Sequence, residues 1–224
     1  MSDPEFRDAL WLRFGLPAAP GHAVCTPSAP DDWLGLHRLG CRAAADARLR
    51  RHDALADVIA SSALAADPRA FRIEREVAVL ETDSQARPGD VALDLGDGRA
   101  LVDVTVVNPF SAARLTASRR AGSPAFAAEQ AYDRKVTKYH ELLAAAVHPA
   151  TFTPLAVTAF GVWDERSLRW LRRFSDACAA ATAAVPGEAF ATLMARLSVA
   201  LWRGNSRMLR GASPPVSAAE RFLV

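Results

Sequence analysis

The 224-residue sequence has little lysine, little cysteine and no long apolar run. Only two of its 27 basic residues are lysines, Lys135 and Lys138, so arginine supplies nearly all of the positive charge. No apolar run approaches the roughly 18–20 residues of a membrane span, which argues against a membrane protein. The first residues also lack the basic and apolar stretches of a secretory signal. Three cysteines are an odd number, which disfavours a disulfide framework and favours an intracellular protein.

Other absences exclude further classes. The sequence has no Gly-rich phosphate-binding loop of a nucleotide-binding protein and no nucleophile elbow of a hydrolase. A net charge of +2 does not by itself indicate a nucleic-acid-binding protein. The positive charges are nevertheless clustered, around residues 42–52 and 114–120, and such clusters favour contact with a phosphate backbone. The candidate nucleic-acid contacts are Arg51, His52, Arg87, Arg119 and Arg120.

The hydrophobic pattern predicts an α/β fold with the order helix, three strands, helix, strand, helices. Residues 1–41 are expected to be irregular, with one short helix at most near Phe6–Phe14, and residues 110–123 are expected to form a loop. Tyr132, Val136, Tyr139 and Leu143 predict the buried stripe of the helix at residues 124–147. The predicted helices are 41–66 (one or two helices), 124–147, 165–184 and 188–202, and the predicted strands are 71–80, 90–95, 101–107 and 152–160.

A predicted hairpin brings two carboxylates together. Gly96 and Asp97 are expected to form a two-residue turn between the second and third strands, and the resulting register puts Asp90 opposite Asp103. Their Cβ atoms would lie about 4.5–5.5 Å apart, where like charges are destabilising. A divalent cation such as Mg²⁺ relieves that repulsion, because it takes carboxylate oxygens as ligands. A three-residue turn would shift the register, so the pairing is a hypothesis.

Strand alternation supports the same interpretation. Asp103 lies inside a run of valines, and this position is hard to explain by solvation. Glu76, on the preceding strand, is a candidate third acid, and Asp94 is a candidate extra ligand or a decoy on the face of Asp90. The alternative is an ordinary exposed hairpin whose acids are solvated.

The two lysines fall on the helix that follows the third strand. Lys135 lies at the edge of its predicted buried stripe, and a helix at this place packs against the sheet, so Lys135 is expected to reach the carboxylates. Lys138 lies on a neighbouring face, because residues three apart on a helix are close. An ammonium there can orient or deprotonate a water, or stabilise charge on a phosphate. The alternative is chance on a solvated helix face.

This ordered set resembles the PD-(D/E)XK restriction-endonuclease-like superfamily. The matching motifs are Arg87-Pro88-Gly89-Asp90, Asp103-Val104-Thr105-Val106 and the Lys135/Lys138 pair. The sequence is most similar to the restriction-like endonuclease domain of site-specific non-LTR retrotransposons and related transposon-derived proteins. In that family the strand lysine has moved to the next helix, and Thr105 stands at the strand position here. Residues 51–53 and 197–205 also resemble this family, and the similarity covers about residues 22–210.

The resemblance implies a metal-dependent DNA endonuclease of retrotransposon origin. Asp90 and Asp103 would hold Mg²⁺ or Mn²⁺, with Lys135, Lys138 and Glu76 as further catalytic residues. The implied partners are DNA and a reverse transcriptase or another transposon-encoded protein, and the implied location is nuclear in a eukaryote. Gly89 departs from the family motif by separating Pro88 from Asp90. An inactive, nuclease-derived DNA-binding or protein-interaction module is the alternative.

The resemblance also divides the chain into three parts. Residues 1–41 would form an extension, 42–163 a restriction-endonuclease-like core with a mixed central sheet flanked by helices, and 164–224 a helical region packed on that core. The family carries a Cys/His zinc motif upstream of its core. Two short-spaced pairs of candidate ligands suit tetrahedral zinc here, namely His22, Cys25, His37 and Cys41. The alternatives are a knuckle with three ligands, or His52 as the fourth ligand.

Overall fold

The computed structural model describes residues 1–16, 34–41, 44–67, 71, 73–77, 89–94, 98–144 and 150–210, and for the first strand it describes the backbone alone. Helices and strands follow one another along the chain in the order expected of an α/β protein. The elements are α1 (Asp3–Phe14), a 3₁₀ helix (His37–Gly40), α2 (Ala45–Ala66), β1 (Ile73–Val77), β2 (Gly89–Asp94), β3 (Arg99–Val107), α3 (Ala112–Ala121), α4 (Phe126–Ala144), β4 (Thr151–Thr158), α5 (Glu165–Thr182) and α6 (Pro186–Arg210).

The described strands form one mixed sheet in the order β1-β2-β3-β4. Strands β1 and β2 pair antiparallel, as do β2 and β3, whereas β3 and β4 pair parallel. The parallel pair needs a crossover connection, which α3 and α4 provide. Strand β3 therefore has neighbours on both edges, and it carries the longest run of β-branched residues in the sheet.

Alternating side chains of β3 face two different helical layers. Val102 and Val104 belong to the main core, together with residues of α2, α5 and α6. Leu101 and Val107 face the opposite layer, where they pack in two smaller clusters with residues of α4 and its neighbours. The alternation predicted for this strand is confirmed, and it puts Asp103 on the side of α4.

Local sequence explains where the helices begin and end. Asp164 caps α5, because its side chain accepts hydrogen bonds from the backbone N–H groups of Arg166 and Ser167. Helix α1 has a capping box between Ser2 and Glu5. Helix α3 ends at Gly122, whose φ of +65° favours glycine. None of the described helices has the length and hydropathy needed to cross a membrane.

Two expectations were wrong in detail. The segment 110–123 was expected to be a loop, but Ala112–Ala121 forms α3, a helix whose scattered arginines leave no apolar stripe in the sequence. Val136 was expected in the buried stripe of α4, but its exposed fraction is 38%. Tyr139 is buried as expected, and the rest of the buried face uses the alanines at the start of the helix, because Ala127, Ala128 and Ala131 pack directly on the sheet.

Candidate functional site

The predicted register of the hairpin is confirmed. Val91 pairs with Val102, and Asp94 pairs with Arg99, so the same register carried one residue further puts Asp90 opposite Asp103. A hydrogen bond ties the two positions together, because the backbone N–H of Val104 donates to Oδ2 of Asp90 at 2.7 Å. The structure therefore brings Asp90 and Asp103 to the same end of the hairpin.

Lys135 reaches from α4 to the carboxylate of Asp103. Its Nζ atom lies 2.9 Å from both Oδ1 and Oδ2. Asp103 is almost fully buried, whereas the Lys135 side chain keeps about a quarter of its surface exposed, so the ammonium lies between the sheet and solvent. The hydroxyl of Thr105 donates a third, longer hydrogen bond to Asp103 Oδ2 at 3.3 Å. Thr105 thus supports the same carboxylate as Lys135.

Burial and the neighbouring Lys135 shift the pKa of Asp103 in opposite directions. Burial raises the pKa of the Asp103 carboxyl above its ordinary value, and Asp90 adds to that effect, while the charge and hydrogen bond of Lys135 lower the pKa. The net pKa shift is upward, because burial excludes water from the Asp103 carboxyl and a second carboxylate lies nearby. Perturbation by burial together with a specific charged neighbour is typical of functional sites.

His52 joins this group from α2. Its Nε2 atom lies 2.9 Å from Oδ2 of Asp90, and its Nδ1 atom lies 3.0 Å from Oδ1 of Asp53. Burial alone would lower the pKa of His52, but the hydrogen bond and charge of Asp90, with those of Asp53, raise the pKa to about 9. Histidine 52 was predicted as a nucleic-acid contact, and the structure brings it to the acidic pair. The signal that could have indicated this was the resemblance at residues 51–53.

Two other candidate catalytic residues lie apart from the Asp103–Lys135 pair. The Nζ atom of Lys138 lies 3.1 Å from the hydroxyl of Tyr139 and 4.7 Å from the centroid of its ring, rather than at a carboxylate. Glu76 lies on β1 between Arg75 and Val77, whose partners on β2 flank Asp90. The backbone register thus puts Glu76 opposite Asp90, and its side chain lies outside the described part of the structure.

The predicted nucleic-acid contacts lie in different environments. Arg119 and Arg120 are exposed in the last turn of α3, and Arg87 lies outside the described residues. The prediction that Arg51 contacts nucleic acid is wrong, because this residue is 1% exposed. The guanidinium donates to Oδ1 of Asn205 at 2.8 Å and to the carbonyl of Leu39 at 3.4 Å, and burial lowers its pKa to about 10. Arg51 therefore joins α2 to α6 and is not accessible to a phosphate.

Only half of the predicted zinc site can be placed. His22 and Cys25 lie outside the described residues. His37 begins the 3₁₀ helix, and the buried Cys41 follows directly after it. Within the described ranges, no group of three or more His, Cys, Asp or Glu side chains is arranged to hold a metal ion. The zinc knuckle remains a prediction.

The donor set at the hairpin fits Mg²⁺. Two carboxylates, Asp90 and Asp103, lie on adjacent strands, each with one cationic partner. Mg²⁺ usually binds through one or two carboxylates while waters and substrate phosphates supply the other ligands. The charge on Asp90 helps to raise the pKa of Asp103, and a bound cation would relieve that repulsion. A cage made entirely of protein ligands is not required for this ion.

Two clefts meet at Thr105 and Lys135, the two side chains that donate hydrogen bonds to Asp103. The first cleft, of about 500 Å³, is lined by Arg48, His52 and Lys135, among others. The second, of about 330 Å³, is lined by Arg114, Arg134, Lys135 and Lys138 together with smaller residues. Thr105 and Lys135 line both clefts. The clefts therefore meet beside Asp103, and basic side chains outnumber the one acid, Asp46, among the residues that line them.

Comparison with known proteins does not assign this site to a family. No protein-family profile matches the chain, and no curated protein matches it.

Proposed function

We propose that this protein is a metal-dependent endodeoxyribonuclease that hydrolyses phosphodiester bonds of duplex DNA. The observation that carries the proposal is the contact of Lys135 Nζ with both oxygens of Asp103 at 2.9 Å, next to Asp90 on the neighbouring strand. The lysine and the two acids come from distant parts of the sequence. Two acids, a divalent cation and a lysine are sufficient for metal-assisted phosphodiester hydrolysis.

The proposed roles follow from position and charge. Asp90 and Asp103 would hold Mg²⁺ or Mn²⁺, which when bound supplies Lewis-acid stabilisation of the phosphate and lowers the pKa of water. Lys135 lines both clefts and keeps about a quarter of its side-chain surface exposed, so its ammonium can orient a water or neutralise charge that develops on a phosphate oxygen. Thr105 and the backbone N–H of Val104 hold the carboxylates in place.

His52 is proposed as a positioning residue. It bridges Asp53 on its own helix and Asp90 on β2, so it fixes the first carboxylate relative to α2. Its positive charge also offsets part of the repulsion between the two acids, since both acids raise its pKa. Lys138 lines the second cleft, where a phosphate contact is its proposed role, and Glu76 is proposed as an accessory acid beside Asp90.

We also propose that the fold is of the restriction-endonuclease-like kind and that the domain is of retrotransposon origin. Support comes from the mixed sheet, in which an antiparallel hairpin carries the acids and a parallel crossover carries the lysine. The order of motifs along the chain agrees with this relationship. A reverse transcriptase or another transposon-encoded protein is the proposed partner, and the zinc knuckle is part of the same proposal.

The second candidate is a nuclease-derived DNA-binding or interaction module without catalysis. One observation favours it. Both carboxylates already have cationic partners within 3 Å, His52 for Asp90 and Lys135 for Asp103, so the charges are compensated without a metal ion. In such a module the cluster would serve stability, and the basic clefts would still bind DNA.

A plasmid-nicking assay separates the two candidates. Supercoiled plasmid is incubated with wild-type protein in Mg²⁺, in Ca²⁺ and in EDTA, and the same reactions are run with Lys135→Ala. The nuclease proposal expects nicking in Mg²⁺ alone, with a loss on the order of 10²–10³-fold in the variant. Equal nicking by both proteins would reject the proposed catalytic role of Lys135. Salt-sensitive DNA binding without nicking under any condition would favour the second candidate.

A further inference from the structure

The second cleft is strongly cationic, and we call it the arginine cleft. Among the described residues that line it, Arg114, Arg134, Lys135 and Lys138 supply positive charge and none is acidic. Lys135 is committed to Asp103. The other three have no carboxylate partner within the described part of the chain, in contrast to Arg166 nearby, which pairs with Asp133 and Asp164. The cleft therefore carries uncompensated positive charge.

Protein contacts hold the cations at this cleft without using all of their donors. Arg114 donates from Nη1 to the carbonyl of Asn108 at 2.9 Å, and a guanidinium has five N–H donors. Arg134 makes a long contact, 3.5 Å, from Nε to the carbonyl of Gln130. Lys138 rests on the ring of Tyr139. The side chains thus have defined anchors and retain donors for a ligand.

The two arginines repel each other. Burial lowers the pKa of Arg114 below its ordinary value, and the charge of Arg134 lowers it further. Like charges that face one cleft without an acid between them are destabilising unless an anion binds there. Arginine suits a phosphate in particular, because its planar N–H groups bind two oxygens at once.

The location of the cleft indicates which phosphate it would take. It is lined by Thr105 and Lys135, and both of these side chains contact Asp103, so the cleft adjoins that carboxylate. Arg134 and Lys138 are four residues apart on α4, about 6 Å along the helix axis. A ligand that reaches both side chains would therefore lie along α4 beside Lys135 and the carboxylate that it contacts, as a strand that continues past its scissile bond would.

We propose that the arginine cleft is a subsite for a phosphodiester of a continuous DNA strand, adjacent to the phosphodiester held at Asp90 and Asp103. The proposal rests on the nuclease function proposed above, and it assigns Arg114 and Arg134 as substrate-binding residues. The first cleft then takes the strand on the other side of the acidic pair. A substrate bound on both sides is cut internally rather than at an end.

Binding in EDTA tests the subsite without requiring cleavage. Fluorescence anisotropy with a labelled 30-base-pair duplex is measured at a series of NaCl concentrations for wild type, Arg134→Gln and Arg114→Gln. Arg169→Gln is the matched control, since it removes one charge from an exposed arginine that pairs with Glu165 on α5. Arg134→Gln is the main variant because Arg134 is exposed, whereas Arg114 also supports the backbone at Asn108.

The proposal expects each cleft variant to bind more weakly and the slope of log K against log salt to fall by about 0.9 per lost phosphate contact. Arg169→Gln should keep the wild-type slope. In a second series of duplexes, one phosphate of one strand at a time is replaced by a neutral methylphosphonate. At one position this replacement should weaken binding of the wild-type protein but should not weaken binding of Arg134→Gln any further. Unchanged slopes, or an equal loss with Arg169→Gln, would overturn the subsite. Altered slopes without any nicking would retain the subsite and reject the nuclease.

Discussion

The ammonium of Lys135 on α4 lies 2.9 Å from both oxygens of Asp103 on β3, 32 residues earlier in the chain. This contact joins the helical layer to the carboxylate end of the hairpin. Asp103 is 3% exposed, and a buried carboxylate is costly unless it is paired. The contact is therefore part of the fold as well as of the candidate site.

Removal of the ammonium should destabilise the protein. In Lys135→Met the carboxylate of Asp103 stays buried without its cation, so we expect a loss of about 1–3 kcal/mol in the free energy of unfolding. Lys138→Met is the control, because its Nζ contacts Tyr139 and no acid. Urea unfolding of both variants measures the difference. Equal losses of stability in the two variants would show that the contact of Lys135 with Asp103 contributes no more to folding than the contact of Lys138 with Tyr139.

Mg²⁺ should stabilise the folded protein through the two carboxylates. A ligand that binds only the native state adds about 2.7 kcal/mol at 100 times its dissociation constant. Thermal unfolding in Mg²⁺ and in EDTA measures this, and Asp103→Asn should lose most of the increase. Asp94→Asn is a matched control on the neighbouring strand of the same hairpin, since Asp94 lies opposite Arg99 at the other end of the ladder. An increase that survives in Asp103→Asn would mean that the ion binds elsewhere.

His52 should titrate far above an ordinary histidine. In metal-free buffer, NMR should give a pKa of about 9, and in Asp90→Asn the pKa should fall toward or below 6.5. A folded-state pKa above the unfolded value means that the protonated form is favoured by folding. The contribution to stability is therefore complete below about pH 6.5 and is lost as the pH rises through about 9. A normal pKa for His52 in the wild-type protein would contradict the contact with Asp90.

Gly204 on α6 should not tolerate a side chain. A Cβ atom at this position would overlap Cγ of the buried Arg51. We expect Gly204→Ala to cost about 1–3 kcal/mol, because overpacking forces side chains and backbone to shift. Gly187→Ala, in the first turn of the same helix, meets no atom within 4 Å and should be neutral or slightly stabilising. Urea unfolding compares the two, and similar values would reject the close packing of α2 on α6.

The sequence predicted the part of the site that depends on local geometry. Strand alternation and the expected turn placed Asp90 opposite Asp103, and the helical position of Lys135 indicated that it could reach them. The zinc ligands and the role of Glu76 still await a test. The restriction-endonuclease-like resemblance likewise remains a proposal.

Contacts between distant elements were not predictable in the same way. Arg51 and His52 are neighbours in a basic cluster, and both were predicted as nucleic-acid contacts. Consecutive residues on a helix point about 100° apart, because a turn takes 3.6 residues, so one entered the core and the other reached Asp90. Which residue takes which side depends on how α2 packs against α6 and the sheet, and charge clustering contains no information about that.

The rate of Mg²⁺-dependent nicking by Asp103→Asn, compared with wild type and Asp94→Asn, tests the central claim most directly. Both substitutions replace a carboxylate of the same hairpin by its amide, but only Asp103 contacts Lys135. The nuclease account predicts a loss on the order of 10²–10³-fold for Asp103→Asn and a rate near that of wild type for Asp94→Asn. Wild-type activity in Asp103→Asn, with the protein folded, would contradict the account.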